Sequence, residues 1–198
     1  MIDLGTTTED QMILAFLQSE IDSSRFSPCV NRVLAALGRD RALIDVPDLS
    51  DASANHARRL ILSTCRGYPS TYLFAGWPQD AVWHRVRLGL ADLGTMKYAN
   101  EPNLVALSGG ARLAREGASN YLRRAADPNS WTHIEGILAD LRRGKNFAPL
   151  IAAQGVDASS LVLIEGHSRA TAYLIEEIKA DVEAFVATSP SIAGWQYY

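Results

Sequence analysis

The chain has 198 residues, 47% of them hydrophobic and 21% charged, with 19 basic against 22 acidic side chains for a formal net charge of −3. This is an ordinary globular composition, long enough for one sizeable core or for a core plus a helical appendage. The acidic balance disfavours a protein whose whole surface attracts nucleic-acid phosphates and leaves open only a local basic groove. No apolar run approaches the roughly 20 residues needed to span a bilayer. The opening segment, MIDLGTTTEDQ, is polar and acidic, unlike a signal peptide. The expectation is a soluble, cytoplasmic protein in which Cys29 and Cys65, far apart and without metal-type spacing, are reduced thiols.

The first third reads as helices. Thr8 and Gln11 form a capping box ahead of Met12, Ile13, Phe16, Leu17 and Ile21 at helical spacing. Ser27-Pro28 marks a second start, followed by the stripe Val30, Val33, Leu34 and Leu37 and a stop at Gly38. A third helix begins at Ser50 or Asp51 and ends at Gly67. Residues 1–70 are therefore expected to form a helical subdomain, with 71–198 as the second unit. The segment YPSTYLFAGWPQDA reads as a connector whose rings pack between the two halves. Val82, Val86, Leu88 and Leu90 share a strand parity that His84 interrupts.

DLGTMKYANEP reads as a loop, and SGGARLAREGASNYLRR as a loop entering a helix. Ser130 is placed to cap a helix with Ile134, Ile137, Leu138 and Leu141 on one face, closed by Gly144. PLIAAQ and LVLI are short strands, a helix follows Arg169, residues 182–187 form another strand, and SPSIAGWQYY is a tail. Strands alternating with helices predict an α/β (α+β) fold, a small mixed sheet with helices, preceded by the N-terminal helical subdomain.

The chemistry concentrates at LIEGHSRATAYLI, where an apolar strand stops at Glu165-Gly166-His167-Ser168-Arg169 and a helix begins at once. A helix N-terminus leaves backbone N–H groups unpaired and attracts anions. Gly166 permits a sharp turn and close approach of a ligand. Arg169 suits bidentate phosphate binding, His167 can donate to phosphate or shuttle a proton, and Ser168 adds a hydroxyl. Glu165 is a candidate base. The plainer alternative is a helix capped by Ser168, with Arg169 a surface charge and His167 a satisfied polar residue.

The segment resembles the signature of the ParB/sulfiredoxin superfamily, in which a strand delivers a Gly-x-x-Arg turn to a helix. The run IEGILADLRRGKNFAPLIAAQGVDASSLVLIEGHSRATAYLI is similar to the family's sequence of helix, glycine, strand, hairpin and signature. The likeness extends over residues 134–175 and, more loosely, 82–102. It implies a nucleotide-binding domain over 71–198, with Gly166, His167, Ser168 and Arg169 holding the phosphates of ATP or another nucleoside triphosphate. His167 falls where some members keep a reactive cysteine and the serine kinases a histidine. Ser168 departs from the family's usual histidine or arginine. The lack of a cysteine in the motif excludes sulfinic-acid reduction.

By the same resemblance, an early loop supplies a glutamate base. LADLGTMKYANEP offers Asp92, Lys97, Asn100 and, as the leading candidate, Glu101; a solvated loop acid beside Pro102 is the other reading. Glu101, Glu165 and His167 are thus the candidate catalytic residues. Ser108-Gly109-Gly110-Ala111-Arg112 could hold phosphate through its amides or be a plain turn. The implied activity is hydrolysis of a nucleoside triphosphate, or transfer of its phosphoryl group to a small hydroxyl substrate. Mg2+ would enter as the nucleotide's companion. The alternatives are a nuclease or a nucleotide-switched DNA-binding protein, and a pure interaction protein that keeps only the fold.

His56, His84 and His133 lack zinc-site spacing. The pairs Arg58-Arg59, Arg123-Arg124 and Arg142-Arg143 read as solvated helix faces, or as a DNA track if folding gathers them. Trp77, Trp83, Trp131 and Trp195 read as packing residues.

Overall fold

The computed structural model describes residues 1–124, 132–155 and 161–198. Strands β1 (Ile2–Thr6), β2 (Val82–Leu88), β3 (Leu150–Gln154), β4 (Val162–Glu165) and β5 (Val182–Thr188) form one mixed sheet in the order β1-β2-β5-β3-β4. Only the β3–β5 pair is parallel; β1–β2, β2–β5 and β3–β4 are antiparallel. Register pairs Trp83 with Ala187 and Val86 with Ala184 across β2–β5, and Ile151 with Phe185 across β3–β5.

Successive side chains on a strand point to opposite faces, so a strand covered on both faces reads as an unbroken apolar run. PLIAA and LVLI behave this way. On one face Trp83, Ile151, Ala153, Val162, Ile164, Phe185 and Ala187 meet the apolar sides of α1 (Glu9–Glu20), α2 (Ser27–Ala36), α3 (Ala42–Asp45) and α4 (Ala52–Arg66). On the other, Val86, Leu88, Leu150, Ala152, Leu163, Ala184 and Val186 meet α5 (Leu90–Thr95), α7 (Ala114–Leu122), α8 (Thr132–Arg142) and α9 (His167–Ile175). The short α6 (Pro102–Leu107) lies beside α7. The result is three layers with the sheet in the middle.

Residues 8–67 are helical as the stripes require. Thr8 and Gln11 make the capping box, Asp51 accepts from the Ser53 and Ala54 amides, and left-handed Gly67 ends α4. Pro28 stands in the first turn of α2, but the side chain of Ser27 does not cap that helix.

The division at residue 70 needs a correction. The first segment also supplies edge strand β1, and its helices share one core with the sheet, including Phe16, Ile61, Ile151 and Phe185. The connector rings fill this seam: Phe74 meets Trp77 edge-on at 5.6 Å, and Trp77 stacks on Trp83 at 5.7 Å and 18°. The loop expected over DLGTMKYANEP is partly helical. Asp92 accepts from the Gly89 amide at the start of α5, and Pro102 opens α6. The cap expected at Ser130, and Trp131, lie outside the described residues.

Two further expectations change. Cys29 and Cys65 are not free thiols: they form a disulfide joining α2 to α4, with Cα atoms 5.9 Å apart. Adjacent antiparallel helices bring together residues that lie 36 apart in sequence. Arg58 is not on a solvated face. It is 1% exposed and donates to the carbonyls of Leu43 and Asp48 and to Asn55 Oδ1, tying α3 and the following turn to α4.

Candidate functional site

The strand β4 runs into α9 through Gly166, whose φ of 97° lies in the left-handed region that favours glycine. A Cβ at Gly166 would also collide with the Leu150 side chain and crowd the Arg169 guanidinium at 3.1 Å. Gly166 offers no side-chain cap, so among the described residues no side chain caps the first amide groups of α9. Glu165 to Arg169 therefore form the strand-to-helix junction that the sequence pattern implies.

Arg169 behaves differently from a phosphate-gripping arginine. It is 6% exposed. Its Nη1 donates to the carbonyls of Ala148 and, at 3.3 Å, Pro149; its Nη2 donates to Ser19 Oγ at 2.9 Å and Glu165 Oε1 at 3.4 Å. One guanidinium thus ties the start of β3, the end of β4, α9 and α1 together. Ser168 is half-buried at the second position of α9.

His167 accepts a hydrogen bond at Nε2 from the Ala99 amide at 3.2 Å, and its ring lies 5.9 Å from Tyr98. Desolvation of the imidazole pushes its pKa down to about 4, against the opposing pull of Glu165, the Leu163 backbone and Glu101, while Arg66 lowers it further. A neutral ring is what the accepting Nε2 requires. Because the folded pKa lies below the unfolded value of about 6.5, the unfolded chain binds the extra proton first. His167 therefore contributes stability that is complete above about pH 6.5 and is lost as pH falls toward 4. A proton-NMR titration is expected to show this imidazole silent from pH 8 to pH 5; a midpoint near 6.5 would contradict the buried accepting ring.

Glu101 is the N-cap of α6. Its Oε2 accepts from the Asn103 and Leu104 amides at 3.1 and 3.2 Å, and its Oε1 from Asn103 Nδ2 at 2.9 Å. It still lies within electrostatic reach of His167, as Glu165 does. The three candidate catalytic groups are thus neighbours, but Glu101 is occupied by the helix it starts. Of the other loop candidates, Lys97 bridges by its backbone to Leu113 and Val162, and the Asn100 amide donates to the Tyr197 carbonyl at 2.8 Å.

The glycine-rich segment after α6 holds the tail. Arg112, at φ 60°, donates to the carbonyls of Tyr98, Tyr197 and Tyr198, and the Gly155 amide donates to the Tyr198 hydroxyl. The tail therefore lies one residue from the Ala99–His167 contact.

Sequence reading missed the residues that α1 and α4 bring to this junction. Glu20 is 3% exposed and Arg66 has a side chain 14% exposed, and they face each other with Oε1 and Nε 3.6 Å apart. Neither atom has a hydrogen-bond partner among the described residues. Nothing in the spacing of a helical stripe distinguishes Glu20 from a surface acid; only its place three residues after Leu17, on the apolar side of α1, hints otherwise. Among the described residues no group of three or more His, Cys, Asp or Glu side chains is placed to hold a metal ion. Comparison with known protein families, curated proteins and solved structures finds no match to this chain.

Proposed function

We propose that the chain is a nucleotide-binding enzyme of the ParB/sulfiredoxin kind, which hydrolyses ATP or another nucleoside triphosphate or passes its terminal phosphoryl group to a small hydroxyl substrate. The observation that carries this reading is the N-terminus of α9 at left-handed Gly166, which no side chain among the described residues caps. Guanidinium groups lie close by: Arg66 acts on His167, and Arg66, Arg169 and Arg25 act on Glu20. Such a place suits a phosphate group, because oriented amides and cations neutralise it without rearrangement.

In this reading the amides of α9 and the Ser168 hydroxyl hold phosphate oxygens. Glu165 is the base, since Glu101 is spent as a helix cap. His167, neutral and accepting from Ala99, positions the loop at 97–101 against the helix. Mg2+ would arrive on the nucleotide, held by its phosphates.

The DNA-directed alternatives find less support. Arg142 pairs with Glu176, Arg143 with Asp140 and Arg124 with Glu135, and Arg58 is buried. No basic track is assembled by these pairs. No helix among the described residues is long and apolar enough to cross a membrane.

The test is thermal-shift screening with ATP, CTP, GTP and ADP, with and without Mg2+, followed by phosphate-release assays. A ligand at about 100 times its Kd stabilises the fold by about 2.7 kcal/mol, which for a chain of this size raises Tm by several degrees. Unchanged melting with every nucleotide, together with tight and salt-steep duplex binding, would move the assignment to a DNA-binding protein.

A further inference from the structure

A buried donor without an acceptor and a buried acceptor without a donor, side by side, are costly unless something joins them. Arg66 Nε and Glu20 Oε1 form a buried ion pair at 3.6 Å, too long for a hydrogen bond, and neither atom has a hydrogen-bond partner among the described residues. Arg66 is held rigidly: its guanidinium stacks on Phe26 at 3.9 Å and on Phe16 at 5.6 Å. Glu20 ends α1 next to Ser19, whose hydroxyl accepts from Arg169. Through Arg169 the pair is connected to Glu165 and hence to the head of α9.

We propose that Glu20 and Arg66, contributed by the helical layer, complete the anion site at the head of α9: Arg66 takes one phosphate oxygen and Glu20 carries a proton that it donates to another. The inference rests on the phosphate reading above and adds to it a second half of the site and a linkage between binding and protonation. No bond is made or broken; a neutral carboxyl is a donor, whereas a carboxylate there would repel the ligand.

The surroundings favour the protonated carboxyl. Burial first and the Glu165 carboxylate on β4 second raise the pKa of Glu20, against the opposing Arg66 on α4, Arg169 on α9 and Arg25 in the turn after α1, to about 8 in all. A phosphate group arriving beside Glu20 adds another negative charge and makes loss of the proton harder still.

ATP and ADP serve as probes, measured by calorimetry on the whole chain at about pH 9, where their terminal phosphates have finished titrating. Repeating the measurement in buffers of different ionisation enthalpy reads the protons taken up. Wild type is expected to take up close to one proton per ligand and to bind at least about tenfold more weakly than at pH 7. Glu20→Gln, which keeps a neutral donor, is expected to bind with no uptake and with an affinity independent of pH over this range. Arg66→Gln is expected to lose about tenfold or more in affinity at pH 7.

If no probe binds at either pH to the folded protein, the phosphate reading fails and takes this inference with it. If the probes bind without proton uptake in wild type, or if uptake persists in Glu20→Gln, the inference fails and the phosphate reading stands. Should Glu20→Gln not fold, NMR of isotope-labelled glutamate carboxyls in wild type decides. A glutamate signal that shifts toward the protonated form on ligand binding supports the assignment, and unmoved signals overturn it.

Discussion

Arg169→Ala is expected to cost about 3–5 kcal/mol of folding stability, before any ligand is considered. The guanidinium is buried and makes four contacts, to Ala148, Pro149, Ser19 and Glu165. Truncation leaves two main-chain carbonyls and a carboxylate, all partly buried, without their donor. It also cuts the hydrogen bond from the head of α9 to Ser19 of α1. For about 200 residues the loss corresponds to a fall in Tm on the order of 10 °C. Arg169→Lys is expected to recover little, because an ammonium cannot reach carbonyls and hydroxyl in a fork. Urea unfolding monitored by circular dichroism measures the difference. A loss below about 1 kcal/mol would mean that the arginine is free to serve a ligand instead.

The second large effect concerns the disulfide. Cys29 and Cys65 enclose a loop with a separation of 36 residues, for which the chain-entropy model gives about 3–4 kcal/mol of stabilisation. The helix it ties down has little else: of α2, only Val30 and Leu34 are buried. Cys65→Ser, or incubation with a dithiol, is expected to lower the unfolding midpoint by the corresponding amount and to expose α2 to protease first. Equal midpoints with and without reductant would remove the bond from the stability account. The same bond bears on location, since persistent disulfides belong to oxidising surroundings. Our proposal of a cytoplasmic location therefore requires that acid-quenched lysates show both thiols open to alkylation.

Much of the fold is legible in the sequence where the signal is local. Thr8 and Gln11 cap α1, Asp51 and Gly67 bracket α4, and LVLI and PLIAA are strands, because caps, glycine stops and apolar runs depend on neighbours within a few residues. The segments that escaped notice are those whose stability comes from elsewhere. Strand β1 is exposed along its length, and its Ile2-Asp3-Leu4 alternation is too short to read as a strand; its partner β2 makes it one. Helices α5 and α6 are six residues each, shorter than a period can reveal. The disulfide was hidden because spacing in sequence says nothing about which helices become neighbours.

The junction divides in the same way. The sequence by itself determined that Glu165 to Arg169 stand where a strand becomes a helix, since an apolar run, a glycine and a helical stripe are read over a dozen residues. It placed at 166 a glycine able to turn sharply; the φ of 97° and the collision with Leu150 that exclude other residues came from the fold. The tertiary structure alone decided what those side chains do. Arg169 reaches Ser19, 150 residues away; Glu101 turns to the amides of α6; His167 is held neutral by desolvation and accepts from the Ala99 amide. Glu20 and Arg66 join the site because the N-terminal helices cover the sheet face beside it. Burial and partner choice are long-range properties: the free energy of a charge depends on what desolvates and opposes it, and in this chain those groups come from every layer of the fold.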